Sequence, residues 1–335
     1  MRDPTIIDVA KLAGVSKATA ARVLNGQEDI VRETTRQRVL VAAEQLGYVR
    51  NAIAGSLRTN QTYVVALSIP DITNPFWPEV ARGVQDTMET GGYTTVIVNS
   101  DWKRDRESRF LTLVRRSRFD GLIINVVETS ADDLTNLRIP VVILGRDENY
   151  PAHDSVGSNT AGGSDAALQY LFELGHRRIG LISGMSHRYS TRVERYKAFL
   201  SQYQLPFDPA LMMESDFTDE AGYHAMQRLL DQPHPPTAVL AANDTIAIGA
   251  LKAAQAMSWR VPQDISIIGM DDIYAAATTS PGLTTVAKPK YDIGMVAAQI
   301  LMERMSGEAQ DEPQRVKLPC ELIVRGSTAP PGQRD

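Results

Sequence analysis

Lys17, Ala18, Thr19 and Arg22 lie at helical spacing on one side of a short segment, two cations among small and hydroxyl-bearing neighbours. Such a face suits a nucleic-acid groove, because Arg and Lys pair with guanine edges or phosphates and small side chains let a helix approach closely. The opposite side, Val15, Ala20, Val23 and Leu24, is apolar and must pack on something. The preceding residues supply the partner. Ile6, Val9, Ala10 and Ala13 recur at helical spacing, Thr5 stands three before Asp8 as a capping pair, Gly14 provides a left-handed stop, and Ser16 can cap the next helix. Residues 5–25 therefore read as a complete helix-turn-helix with an outward recognition face. A solvated helical hairpin is the bland alternative. Charge counts against it: through residue 60 there are nine Lys and Arg against six Asp and Glu, whereas the remainder carries 26 against 34, a basic head on an acidic body.

The elements that would hold this face follow directly. Thr34 to Leu46 places Val39, Leu40, Ala43 and Leu46 on one side, predicting a third helix ended by Gly47. Asn51 to Arg58 has good helix formers and one prominent apolar residue, Leu57, but is shorter than the roughly 12 residues an isolated helix needs, so it reads as a hinge that orders when something holds it. From Tyr63 the pattern becomes apolar strand runs (Tyr63 to Ile69, Thr94 to Val98, Gly121 to Val126, Pro140 to Leu144) alternating with amphipathic helices, and a second set follows (Ile179 to Ser183, Thr237 to Ala241, Ile265 to Gly269). Strands this uniformly apolar are buried on both faces, which predicts two parallel-sheet α/β lobes covered by helices. Ligands of such sheets sit beyond the carboxyl ends of the strands. The segments there are polar and aromatic: Asp71 to Trp77, Gly145 to Asn149, Gly184 to Arg195, Asn243 with Asp244, and Gly269 to Asp272.

Composition bounds the remaining classes. The chain has 335 residues, is 43% hydrophobic and 22% charged, and is long enough for two or three cores. No apolar run approaches the ~20 residues of a bilayer span, and the N-terminus lacks the apolar stretch of a secretory signal. The single cysteine, Cys320, has no internal disulfide partner, which fits a reducing cytoplasm. There is no Gly-x-Ser-x-Gly elbow, His-Glu-x-x-His, phosphate loop or Gly-x-Gly-x-x-Gly after a strand, and five scattered histidines form no metal set, so neither an enzyme nor a cofactor or metal is expected. His176, between Gly175 and Arg177, reads as a cap or surface residue. A plain solute-binding protein would fit the body alone, but residues 1–60 argue against it.

From Thr5 to about Ser327 the chain resembles the lactose-repressor/purine-repressor (LacI/GalR) family of transcription factors. The resemblance rests on Asp8-Val-Ala to Gly14-Val-Ser16, Arg22-Val-Leu-Asn25, Gly47-Tyr48 with Asn51, Ala54 with Ser56-Leu57, Asn74-Pro75-Phe76, Gly121-Leu122-Ile123, Gly175-His176-Arg177, Ala242-Asn243-Asp244, Val261-Pro262 with Asp264-Ile265-Ser266, and Pro281 to Thr285. It implies a three-helix helix-turn-helix head (1–50), a hinge helix and linker (51–60), and a body (61–328) of two Rossmann-like lobes similar to periplasmic binding proteins. The N-lobe would take about 61–158 and 290–318, the C-lobe about 159–289 and 319–328, leaving a tail at 329–335. The resemblance further implies Lys17, Ala18 and Arg22 facing bases, Thr5, Ser16, Thr19 and Asn25 near phosphates, and Asn51, Ala54 and Leu57 at the minor groove, with Leu57 wedged into the central base step.

By position in the family, the interlobe cleft would bind a small effector with Phe76 and Trp77 as an aromatic wall and Arg146, Thr191, Arg195, Phe217, Asn243 and Asp271 as directional contacts. Aromatic faces with Arg, Asn and Asp suit a sugar or sugar derivative; a purine-type corepressor is the alternative. The protein implied is a cytoplasmic, nucleoid-associated repressor, a homodimer on a pseudo-palindromic double-stranded operator, because the C-terminal sequence lacks the leucine heptads of tetrameric members. Ala20 and Ala21 stand where the family has Val and Ser, Arg32 replaces a frequent Ser cap, Arg50 a frequent proline, and Gly145 an acid present in both the lactose and purine repressors.

Overall fold

The computed structural model describes residues 4–24, 31–48, 61–145, 149–185, 191–308 and 311–332. Asn25, Asn51, Ala54, Leu57, Arg50 and Arg146 lie outside these residues. The chain divides into two compact units, residues 1–62 and 63–335.

In the first unit, α1 (Ile6–Leu12), α2 (Lys17–Leu24) and α3 (Glu33–Gln45) enclose a core of Val9, Ala10, Ala13, Ala20, Val23, Val39, Ala42 and Ala43. Local chemistry fixes each boundary. The Asp8 carboxylate accepts from Thr5 N–H (2.8 Å) and Thr5 Oγ1 (2.7 Å) at the start of α1. Gly14 is left-handed (φ +63°), and Ser16 Oγ accepts from Thr19 N–H at 3.0 Å to begin α2. Arg32 occupies the N-cap of α3 without a side-chain cap bond, so this helix starts without the ~1 kcal/mol a Ser cap typically contributes.

The second unit holds two six-stranded sheets. The N-lobe sheet has the order β11-β5-β4-β3-β1-β2, built from β1 (Val64–Ile69), β2 (Thr94–Asn99), β3 (Gly121–Ile124), β4 (Val141–Leu144), β5 (Asp154–Ser158) and β11 (Arg315–Leu318), all parallel. The C-lobe sheet runs β12-β10-β9-β8-β6-β7: β6 (Ile179–Ser183), β7 (Met212–Glu214), β8 (Ala238–Ala241), β9 (Ser266–Asp271) and β10 (Thr284–Ala287) are parallel, with β12 (Glu321–Ile323) antiparallel at the edge. The chain passes between lobes after β5, β10 and β11. The inner strands feed both faces of their sheets: Val65, Leu67 and Ile69 of β1 join one core cluster while Ala66 joins the other, and Val239 and Ala241 of β8 alternate likewise with Ala238 and Leu240. That period-2 division is why the strands read as continuous apolar runs.

The covering helices that matter for the site are α4 (Phe76–Thr90), α7 (Thr160–Glu173), α8 (Thr191–Gln202), α9 (Asp219–Leu230), α10 (Asp244–Ala256) and α12 (Lys290–Ser306), with α5 (Arg104–Ser117), α6 (Ala131–Thr135) and α11 (Tyr274–Thr278) completing the set. In each lobe one helix pair packs backbone to backbone. A Cβ on Gly83 (α4) would collide with the Tyr291 carbonyl oxygen and one on Gly294 (α12) with that of Val80; Gly222 (α9) and Gly249 (α10) stand in the same relation to Ile246 and Asp219.

His176 departs from its sequence reading. Rather than capping a helix or lying at the surface, it is 1% exposed. Its Nδ1 is 2.9 Å from Thr237 Oγ1 and its Nε2 lies 3.1 Å from Ser266 Oγ and 2.9 Å from the Ala329 oxygen, knotting three segments of the C-lobe. Burial lowers its pKa from 6.5.

Candidate functional site

The recognition face is laid out by α2. Ala20 and Val23 point into the core of the first unit, while Ser16, Lys17, Ala18 and Arg22 are exposed, and Thr19 is partly exposed with its Oγ1 2.9 Å from Ser16 Oγ. Thr5 is half-buried, its hydroxyl held by Asp8. Ala20 is fully buried in the core of the first unit. Lys17 and Arg22 are both exposed on α2, and cations of this kind can meet base edges and phosphate oxygens.

In the second unit, strand register assembles a polar cluster at the carboxyl edge of the C-lobe sheet. Leu240 pairs with Ile268, which sets Asn243 level with Asp271, and Ala287 pairs with Asp271, which sets Lys288 one residue further on. Lys288, 9% exposed, places Nζ 2.8 Å from Asp271 Oδ1 and 5.3 Å from the centre of the Phe76 ring across the lobes. Burial pushes the Lys288 pKa down, and the Asp271 charge opposes the shift. Asn243 caps α10, its Oδ1 accepting from Ile246 N–H at 2.9 Å, while its buried Nδ2 has no acceptor among the described residues. Beneath it Asp244, fully buried, accepts from Thr285 Oγ1 (2.5 Å) and Ile273 N–H (2.9 Å). Burial, then the neighbouring Asp271 charge, raises the Asp244 pKa to about 7. Lys290 ties the lobes together: Nζ donates to the Asp271 oxygen (2.9 Å) and the Asp272 oxygen (2.7 Å) and lies 3.6 Å from Glu79 Oε2 on α4. Trp102, on a left-handed residue after β2, stacks on Phe217 with ring centres 5.3 Å apart and 21° between planes, a second bridge between the lobes.

Asp271, Asn243 and Phe76 are thus brought together, and Phe217 faces the N-lobe beside them. Two expectations shift. Trp77 does not stand in an aromatic wall: it is 8% exposed in the N-lobe core, edge-on to Phe76 at 4.9 Å, because the next residue on a helix is turned by about 100°. Arg195 is held 2.7 Å from Asp165 and lines an outer groove of about 360 Å³ between α7 and α8, with Gln169, Phe199 and Tyr203. Arg192, one turn earlier, is the arginine near Asp271; its Nε lies 3.3 Å from Met270 Sδ. Thr191 is exposed at the first residue of α8. Sequence reasoning missed Arg192, Lys288, Lys290 and Trp102. Arg192 and Arg195 share a helical spacing that cannot separate them, whereas Lys288, a cation one residue past an apolar strand run, was a signal that could have been read.

An exposed recognition helix in a small three-helix unit, joined to two parallel-sheet lobes with a polar cluster where they meet, defines a DNA-binding regulator with a periplasmic-binding-protein-like body. Residues 5–51 match the family described as bacterial regulatory proteins, lacI family, and residues 168–328 match the periplasmic binding protein-like domain. Catabolite control protein A of Priestia megaterium is 36% identical over 330 residues, covering 97% of this chain and 99% of that protein. The structure of the transcriptional regulator CelR–cellobiose complex aligns with a TM-score of 0.72 at 32% identity, covering 97% of this chain and 99% of that one. The lac repressor dimer bound to operator and the anti-inducer ONPF aligns at 0.87 with 26% identity, covering 98% and 100%. The chain belongs to the LacI family of transcriptional regulators. No described helix is long and apolar enough to cross a membrane.

Proposed function

We propose that this protein is a cytoplasmic, non-enzymatic repressor that binds a pseudo-palindromic operator as a homodimer and is controlled by a sugar or sugar derivative held between the lobes. The observation that carries the reading is the coexistence in one chain of the exposed Lys17–Ala18–Arg22 face and the Phe76–Lys288–Asp271–Asn243 cluster. Support for the ligand class comes from the cellobiose held by the CelR regulator and from the chemistry of the cluster, an aromatic face beside buried hydrogen-bonding groups that suits a polyhydroxylated ring.

In this reading Lys17, Ala18 and Arg22 meet bases; Thr5, Ser16, Thr19 and Asn25 meet phosphates; and Asn51, Ala54 and Leu57 act in the minor groove. Residues 1–50 form the DNA-binding domain, 51–60 the hinge, and 61–328 the effector-binding and dimerisation body. Of the effector contacts expected by family position, Phe76, Phe217, Asn243 and Asp271 remain, joined by Lys288, with Arg146 and Thr191 as further contacts. Effector binding changes how the lobes meet and thereby the affinity of the paired heads for their operator, a coupling that must be reciprocal. The test is a gel shift of the full-length protein on fragmented genomic DNA, with and without a panel of sugars. A preferred fragment whose affinity changes with one sugar is expected; no preferred fragment under any condition overturns the reading.

A further inference from the structure

Residues 100–103 join β2 to α5 in a tight turn. Lys103 N–H donates to the Ser100 oxygen at 2.9 Å, and both central residues are left-handed, Asp101 at φ +50° and Trp102 at φ +56°. Two consecutive left-handed residues follow the pattern of a type I′ turn, whose second central position favours glycine and is strained for a bulky side chain. The Asn99 amide and the Arg106 guanidinium pin Asp101. Trp102 joins none of the core clusters that the described residues of its own lobe form; its ring stacks on Phe217 of the C-lobe. Phe217 in turn packs on the C-lobe core, and Gly184 leaves room for it, since a Cβ there would lie 2.1 Å from Phe217 Cζ.

The topology puts this stack at the mouth of the cleft. The chain crosses between lobes after β5, β10 and β11, which lie at or next to one end of their sheets, whereas Trp102 follows β2 and Phe217 follows β7, the strands at the opposite ends. From β5 to β2, and from β10 to β7, there are four strand spacings, about 19 Å. Lys288 and Lys290, which also reach across, belong to the crossover after β10 and so sit near the pivot. A rotation of about 10° about the crossovers displaces a point that far out by roughly 3 Å, which parts two stacked rings while hardly disturbing the lysines. We propose that Trp102 and Phe217 form a latch that holds the lobes closed in the bare chain, so that opening the cleft requires this stack to break. Backbone strain at Trp102 is retained because the turn presents the ring across the cleft. An aromatic pair of this kind favours the closed state by about three- to tenfold. The latch holds whatever the cleft binds, so its failure leaves control by a sugar untouched.

The test is small-angle X-ray scattering of the full-length protein without ligand, paired with urea unfolding. The samples are wild type, Trp102→Gly, Trp102→Phe, Phe217→Ala, Gly184→Ala and the Trp102→Gly/Phe217→Ala double variant. Trp102→Gly removes the ring and puts glycine where the turn favours it, whereas Gly184→Ala keeps both rings and pushes Phe217 out of place. Trp102→Gly, Phe217→Ala and Gly184→Ala are expected to shift to a common, larger radius of gyration, with Trp102→Phe staying near wild type. The double variant should scatter like Phe217→Ala alone, and the unfolding constants should show a coupling of about three- to tenfold between the two positions. A radius of gyration unchanged in Trp102→Gly, or additive effects of the two positions on unfolding, overturns the latch. So does a Trp102→Gly variant that fails to fold while Phe217→Ala folds, because Trp102 then serves its own lobe. Should both truncations prevent folding, Gly184→Ala decides: a larger radius of gyration supports the latch and an unchanged one overturns it.

Discussion

At Asp244 burial and hydrogen bonding pull the proton in opposite directions, and burial prevails. Its pKa rises from 3.8 to about 7, so the folded protein retains a proton that the unfolded chain releases. The stabilisation from this group is full below the unfolded value and is lost as pH climbs through about 7. One proton limits the slope to about 1.4 kcal/mol per pH unit. Urea denaturation between pH 5 and 8 should show this fall, and Asp244→Asn should remove it while lowering stability, since an amide nitrogen would face the Thr285 or Ile273 donor. His176 works with the opposite sign. Its pKa is lowered, so its contribution is present above 6.5 and is lost as pH falls through the folded value. An NMR titration of the His176 ring should give a midpoint below 6.5; a midpoint at or above it would contradict the burial argument. These two residues also mark a limit of sequence reading. Both carry polar side chains in polar surroundings on paper, and only the arrival of distant segments, Ala329 for one and Thr285 for the other, buries them.

At the scale of elements, the helix pairs of both lobes depend on glycine where backbones cross. Gly83→Ala or Gly249→Ala forces a methyl against a carbonyl that cannot move without shifting its helix, an overpacking that costs about 1–3 kcal/mol or more. Thermal unfolding should record a drop of several degrees, with Gly92→Ala, where no atom lies within 4 Å but φ is +76°, losing less. In the first unit the Ser16 cap is the exposed counterpart: Ser16→Ala should cost about 1 kcal/mol of that unit's stability. The helices of the first unit and strands β1, β2, β3, β4, β6, β8 and β9 were legible, because hydrophobic periodicity is a local property, whereas β5, β7, β10, β11, β12 and α12 were not read from the sequence. The third helix, expected over 34–46, is found at Glu33–Gln45. Glycine at the helix crossings was not legible as such. A glycine on a helix face looks the same whether it meets solvent or another backbone.

For the whole molecule, the division at residue 62 predicts separable behaviour. A fragment of residues 63–335 should unfold cooperatively and be stabilised by effector as the full chain is, by about 2.7 kcal/mol at a ligand concentration of 100 Kd, while binding no DNA. Conversely Arg22→Ala should weaken operator binding by about 1–3 kcal/mol and leave effector affinity unchanged. Leu57→Ala should weaken the operator complex likewise if it wedges the central base step. Gel shifts paired with thermal shifts on the same preparations measure both sides of this coupling, and a variant that moved both equally would dissolve the division of labour.

The amino-acid order alone determined the helices of the first unit and the seven strands β1 to β4, β6, β8 and β9, that two parallel-sheet lobes follow a basic helix-turn-helix, and which side of α2 faces outward, since each depends on side chains within a few residues of one another. Only the folded chain decided which arginine of α8 reaches the cluster, that Trp77 enters the core, and that Lys288 and Asp271 form the central ion pair. Those outcomes depend on strand register and helix rotation, which bring together residues far apart in sequence and which no local pattern encodes.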